Sequence, residues 1–154
     1  MLATQVWLHT YATDGVSTEI ADYVLAELTP ARFTAALRDA SIRVRIADHN
    51  NNLAGFSLVK FNATCPQARS AVAELQTLYV QAHFIGTGLG KRLLQDAETV
   101  ARKHANTALW LTVNAQNRRA IDFYDHLGYR KVGTTYFVLG TQRHENHVLV
   151  GQGA

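Results

Sequence analysis

Residues 73 to 94 read Ala-Glu-Leu-Gln-Thr-Leu-Tyr-Val-Gln-Ala-His-Phe-Ile-Gly-Thr-Gly-Leu-Gly-Lys-Arg-Leu-Leu, an order that specifies a strand, a glycine turn and the start of a helix. Gly86, Gly88 and Gly90 let the backbone approach a ligand closely. A helix that begins there points unpaired N–H groups and the positive end of its dipole at whatever occupies the turn. A pyrophosphate fits that description. Lys91 and Arg92 add positive charge beside it, although a solvated first turn is their alternative role, because cations at a helix start oppose the dipole.

Spacing separates the phosphate-binding motifs that compete for this turn. A dinucleotide fingerprint, Gly-x-Gly-x-x-Gly, fails because Lys91 stands where the third glycine belongs. A Walker loop fails twice, since Ile85 occupies its first glycine position and Arg92 its Ser/Thr position. Glycine in a tight strand-to-helix turn can be purely structural, so the context has to decide.

Downstream, Leu89, Leu93, Leu94, Ala97, Val100 and Ala101 recur at helical spacing up to His104. Residues 108–113 then read as a strand, 120–127 as a helix, and 129–139 and 143–150 as strands. Upstream, 42–48 alternates at period two, the run from His49 to Asn52 is turn chemistry, and 53–62 is a second strand that makes a hairpin, in which Gly55 is expected to mark a bulge. Pro66 and small polar residues make 64–72 a loop. Before the hairpin, three short helices are expected: 2–12, a second capped by Ser17, and a third opened by Thr29-Pro30. The whole is one domain, residues 1–154, built as a mixed α/β sheet flanked by helices, with no repeat or linker.

At 154 residues and 47% apolar composition the chain can bury a core without staples. Cys65 is the only cysteine, and no leader or long apolar run stands out, so a reducing cytoplasm and no membrane are expected. The net charge of +3 is unevenly spread. Residues 1–41 carry Asp14, Glu19, Asp22, Glu27 and Asp39 against two arginines, whereas 83–131 carry eight bases against four acids. The second region would attract a phosphorylated ligand and the first would tolerate a cationic one, unless both are ordinary solvated surface. A pI near 9.2 invites a nucleic-acid reading, but the bases follow the glycine segment and no reader motif is present. The seven histidines show no paired metal spacing on a helix, Cys65 has no base beside it, and Trp7 and Trp110 are expected to pack.

Glu74-Leu-x-x-Leu-Tyr-Val80, then Gly86-Thr-Gly-Leu-Gly-Lys91, then Asn117-Arg-Arg-Ala-Ile-Asp-Phe-Tyr-Asp-His-Leu-Gly-Tyr129, in this order and separation, resemble the GNAT acetyltransferases over about residues 42 to 150. The ending, Gly133 to Val150, is further similar to the PaiA-like spermidine and spermine acetyltransferases. The resemblance implies a mostly antiparallel sheet whose central strands splay, and an acetyl-CoA cosubstrate with no metal. Leu78, Tyr79 and Val80 would pair with the pantetheine arm, and Ile85, Gly86, Thr87, Gly88, Leu89, Gly90 and Lys91 would hold the pyrophosphate. Position 85 departs from the family, which usually has Arg or Gln there, so weaker cofactor binding is expected. Asn117 would contact the cofactor arm, or simply cap a helix. Tyr124 would lie near the CoA sulfur and protonate or hydrogen-bond the leaving thiolate, with core packing as its other role. An N–H near Val80 would serve the oxyanion. Glu74 would act as the base through water, or recognise a cationic acceptor.

The family's first edge strand looks absent here, which leaves 42–48 as an open edge that a second copy could cover. The acceptor is expected to be a small-molecule primary amine or polyamine. A protein amino terminus, a lysine, or a silent acetyl-CoA-binding module are the alternatives.

Overall fold

In the computed structural model, which describes residues 1–152, local capping chemistry sets the N-terminal helices. After α1 (Leu2–Tyr11), the Ser17 hydroxyl accepts from the Ile20 N–H at 3.3 Å to start α2 (Thr18–Glu27). Thr29 does the same for Arg32 at 3.3 Å, and Pro30 sits in the first turn of α3 (Pro30–Arg38), where its missing N–H costs nothing. The hairpin β1 (Ile42–His49) and β2 (Asn52–Phe61) turns on Asn50 and Asn51, both left-handed at φ 52° and 62°, which suits the twist of a two-residue connection. Then follow β3 (Ala73–Val80), a 3₁₀ turn (Ala82–Phe84), α4 (Leu89–Ala105), β4 (Leu109–Asn114), α5 (Arg118–His126), β5 (Arg130–Leu139) and β6 (Gln142–Val150).

Among the described residues these strands form a single six-stranded sheet ordered β1-β2-β3-β4-β6-β5, antiparallel everywhere except between β3 and β4. The expected elements are present, with edges moved by a residue or two; α5 starts at Arg118, not residue 120, because Asn117 is its cap. Gly55 stands beside a bulge, as expected, and has a second reason as well. The extra residue of β2 opposite Ala47 and Asp48 is Ala54, and a Cβ on Gly55 would lie 2.8 Å from the Tyr79 carbonyl oxygen, so glycine there permits a close backbone approach.

The two faces of the sheet bury different helices. Leu94, Ala97 and Ala101 of α4 and Tyr124 of α5 meet Val59, Phe61, Leu75 and Leu111 in the principal core. Burying each such leucine contributes about 1.5–3 kcal/mol. On the other face Leu2 and Ala3 meet Phe56, while Trp7 and Ile20 meet Leu139, with Tyr79 and Phe137 partly buried beside them. Trp110 packs as expected, its indole N–H donating to the Ala63 carbonyl at 2.6 Å, and Cys65 is buried next to it. β1 is an outer strand of the sheet. No helix among the described residues is long and apolar enough to cross a membrane.

Candidate active site

The parallel pair at the middle of the sheet is joined only at its beginning. Ala73 pairs with Leu109 and Glu74 with Trp110, and there the β3–β4 ladder stops. The cause lies on the other side of β3, where Leu58 opposes Thr77 and Val59 opposes Leu75, so Gln76 is an extra residue. Such a bulge bends the strand and raises its twist. Immediately beyond it β3 swings away from β4, and the backbone groups of residues 76–80 that point toward β4 have no strand to bond. The opening is a cleft of about 1040 Å³. That exceeds the usual size of a small-ligand pocket and suits a long ligand plus a second reactant.

One end of the cleft is the glycine turn. Gly86 and Gly88 both have φ of 83°, and a Cβ on either would meet nothing within 4 Å, so glycine is demanded by the backbone angle and leaves open space above the turn. Gly90 is ordinary helix, its imagined Cβ in plain contact with the Phe123 ring at 3.5 Å. Gly88 caps α4 without any side-chain partner, and the first backbone bond of the helix is Arg92 N–H to the Gly88 carbonyl at 3.1 Å. The preceding N–H groups of the first turn are therefore left without intrahelical partners, and Gly88, Gly90 and Lys91 of this turn line the cleft. Lys91 and Arg119 bring the fixed positive charges of the lining to this end, because α5 is packed against Gly90 through Phe123.

Asn117 caps α5, its carboxamide oxygen accepting from the Ala120 N–H at 3.1 Å, and it borders the cleft. α5 so begun ends at Gly128, φ 85°, which leaves Tyr124 facing inward, 8% exposed, with ring centroids 5.1 Å from Phe123 and 5.5 Å from Tyr129. Burial first, and the neighbouring Tyr79 second, push the Tyr124 phenol well above its ordinary range, so it holds its proton throughout the physiological span. Tyr79 is raised in the same way by burial, then by Tyr11 and Tyr23.

The structure brings Leu78, Tyr79, Val80, Ile85, Gly86, Gly88, Gly90, Lys91, Asn117 and Tyr124 together around the cleft. Thr87 and Leu89 belong to the turn but not to the lining: the Thr87 hydroxyl donates back to the Phe84 carbonyl at 2.7 Å and Leu89 is buried. Glu74 also lies outside it. It sits at the closed end of the strand pair, where its carboxylate accepts from the Gln76 amide at 3.0 Å. Among the described residues that line the cleft there is no Asp or Glu. No group of three His, Cys, Asp or Glu side chains among the described residues is arranged to hold a metal.

Sequence reading missed most of the far end, which α1, α2, β3, β4, β5 and β6 build jointly. Trp7 stacks between Tyr11 and Tyr23, at 4.6 and 4.5 Å between ring centroids, and Phe137 closes on all three. Asn114 and Asn146 are register partners on β4 and β6, each 8% exposed, and both act on the Tyr11 hydroxyl. Burial outweighs their pull, and the Tyr11 pKa is raised. Nothing in the local sequence around positions 11, 114 and 146 marks them as neighbours.

Comparison with known proteins fits this geometry. The acetyltransferase (GNAT) family model matches residues 5–129. An uncharacterized N-acetyltransferase of Mycobacterium tuberculosis is 30% identical over 131 residues, 85% of this chain and 80% of that protein. Among solved structures, PaiA N-acetyltransferase from Thermoplasma acidophilum in complex with coenzyme A superposes with a TM-score of 0.77 at 21% identity, over 98% of this chain and 88% of that one. Arabidopsis thaliana Naa50, in complex with a bisubstrate analogue joining CoA to an acetylated MVNAL peptide, gives 0.64 at 21% identity, over 80% and 81%.

Proposed function

The chain belongs to the acetyltransferase (GNAT) family and is an N-acetyltransferase, and from that premise we propose that it passes the acetyl group of acetyl-CoA directly to the primary amine of a small molecule. The observation that carries this reading is the parting of β3 from β4 above a glycine turn. Beyond Glu74 no strand pairs with this side of β3, so the amide-bearing pantetheine arm can take up the unpaired backbone groups of 76–80 while the pyrophosphate lies on the first turn of α4. Lys91 and Arg119 then neutralise phosphate charge. The arm so placed directs the thioester carbonyl toward the splay, where an N–H near Val80 can donate to the oxygen as negative charge develops on it.

Tyr124 hydrogen-bonds the departing sulfur. Its raised pKa makes it a poor acid but a constant donor, so it stabilises thiolate charge without titrating. Glu74 has no direct line to the amine, and a base role for it would run through water along β3. The proton of the attacking amine otherwise leaves to solvent through the open cleft. A polyamine acceptor is the second reading, favoured by Glu27, which after burial raises the pKa of Tyr23 on α2, although its carboxylate is bonded to Arg32 at 2.9 Å and lies off the cleft wall. We place the reaction in the cytoplasm, where Cys65 stays a free thiol.

The test is release of CoA thiol from acetyl-CoA across a panel of amines. Cys65 is 0% exposed, so a thiol reagent reads released CoA and not the protein. Turnover with a small amine supports the proposal. A peptide amino terminus or lysine peptide as the preferred substrate would replace the acceptor class, and saturable CoA binding without turnover of any amine would make the protein a silent binding module.

A further inference from the structure

Every fixed charge on the cleft wall is at its cofactor end, on Lys91 and Arg119, and the opposite end is walled by Trp7, Tyr11, Tyr23, Tyr79 and Phe137. Two buried polar atoms at this end have no hydrogen-bond partner, Nε2 of His144, whose ring packs on Tyr11 and Phe137, and the Asn146 side-chain oxygen, and of the two residues only Asn146 borders the cleft. Asn146 is 8% exposed. A buried acceptor left unpaired is costly unless a ligand supplies the donor. Its neighbour Tyr11 keeps its proton, because burial outweighs the pull of the Asn114 and Asn146 amides.

We infer that the acceptor is an amine carried on an aromatic or apolar skeleton, an arylalkylamine, with one amine N–H donated to the Asn146 oxygen and the skeleton lying against Tyr23, Tyr79 and Phe137. This rests on the acetyltransferase reading above. A neutral wall suits a reactant that must be an uncharged amine when it attacks, and aromatic faces repay the burial of a ring. A polyamine brings further ammonium groups that this end of the cleft cannot pair: cation–π contact is available, but no lining carboxylate is. The neutral oxygen of Asn146 selects by donor geometry and not by charge.

The experiment has two arms on the full chain. The first measures CoA binding by calorimetry and then kcat/KM for 2-phenylethylamine, tyramine, spermidine and a lysine peptide. The expected result is at least a tenfold preference for the two arylalkylamines over spermidine and the peptide. A preference for spermidine or the peptide overturns this inference and leaves the acetyltransferase reading standing. CoA binding with no amine turned over overturns the inference as well, and loss of CoA binding altogether overturns both. The second arm compares Asn146→Leu and Asn146→Asp. Asn146→Leu is expected to raise KM for the arylalkylamine about tenfold with CoA affinity unchanged, and Asn146→Asp, by adding the missing carboxylate, to shift selectivity toward spermidine at least tenfold. Unchanged KM and unchanged selectivity in variants that still bind CoA would remove Asn146 from acceptor recognition. If neither variant folds, the wild-type ranking alone decides.

Discussion

The two ends of the cleft are made in different ways. The cofactor end comes from two short continuous segments, the turn into α4 and the first turns of α5, and most of what it offers is backbone: left-handed glycines, a helix start, and a strand edge freed by one bulge. The acceptor end comes from six elements spread between residue 7 and residue 146, and what it offers is side chains. Backbone chemistry of this kind tolerates little change, because a turn angle or a free N–H has few substitutes. A wall of aromatic rings can be rebuilt ring by ring. The contrast predicts that substitutions at the cofactor end and at the reacting centre cost every substrate alike, while those at the acceptor end change which substrate is preferred.

The sharpest test is at the junction of the two. Tyr124→Phe is expected to lower kcat about 10²-fold, the size of losing one donor to developing charge, with KM for acetyl-CoA unchanged and every amine affected alike. Because its pKa is raised, Tyr124 stays protonated as pH rises, so wild-type activity should show no alkaline limb from this group below pH ~10, its ordinary value. A falling limb between pH 8 and 9 that vanishes in Tyr124→Phe would contradict the constant-donor role. At the turn itself, Gly88→Val forces a branched side chain into a left-handed conformation. The strain alone, about 1–2 kcal/mol, weakens CoA binding about 5- to 30-fold. Gly90→Ala, in the adjacent helix with an ordinary contact to Phe123, should leave the affinity within about twofold, in line with a surface change of ±0.5 kcal/mol. Equal losses in the two variants would mean that space, and not backbone angle, is what the glycines provide.

This difference in construction also governs what could be read before the structure. The order of elements and the glycine turn were legible because each is a local pattern: period two, period 3.6, a cap, a glycine. Asn117 was legible as a helix cap, while its place at the cleft and that of Tyr124 were expected only by resemblance. The splay was expected only by resemblance, since its physical cause, the extra residue Gln76, depends on the register of β2 against β3 and leaves no local mark. Tyr11, Asn114 and Asn146 were invisible for the same reason, being joined by packing across the sheet. Trp7 was expected to pack and does, stacked between Tyr11 and Tyr23 and 4% exposed where it borders the cleft.

A smaller effect should come from Ile85, which is 41% exposed at the lip of the turn and is the one position there where a side-chain phosphate contact is expected and apolar. Ile85→Arg should tighten CoA binding about two- to fivefold, the range of an exposed ion pair, measured by calorimetry at low salt. The gain should fade as ionic strength rises. Tighter binding that is indifferent to salt would point to packing by the arginine stem instead.

A comparably small effect is expected at Glu74, and it discriminates most between reading a motif and reading a fold. As a general base Glu74 would be worth roughly 10²–10⁴ in rate, and its removal would be felt mainly below the pKa of the amine, where the proton must be taken away. The structure puts the carboxylate beside the last paired residues of β3 and β4, tied to Gln76 at 3.0 Å and off the cleft wall. From there only a water chain could carry the proton, and the wide mouth of the cleft offers solvent a shorter path. Glu74→Gln, which keeps the shape and the contact to Gln76, should therefore change kcat/KM by less than about threefold, with an unchanged pH profile. A loss of 10²-fold that grows toward low pH would reverse this judgement. It would establish a relayed base at the closed end of the splay, and would show that the route of the proton follows β3 and not the open mouth.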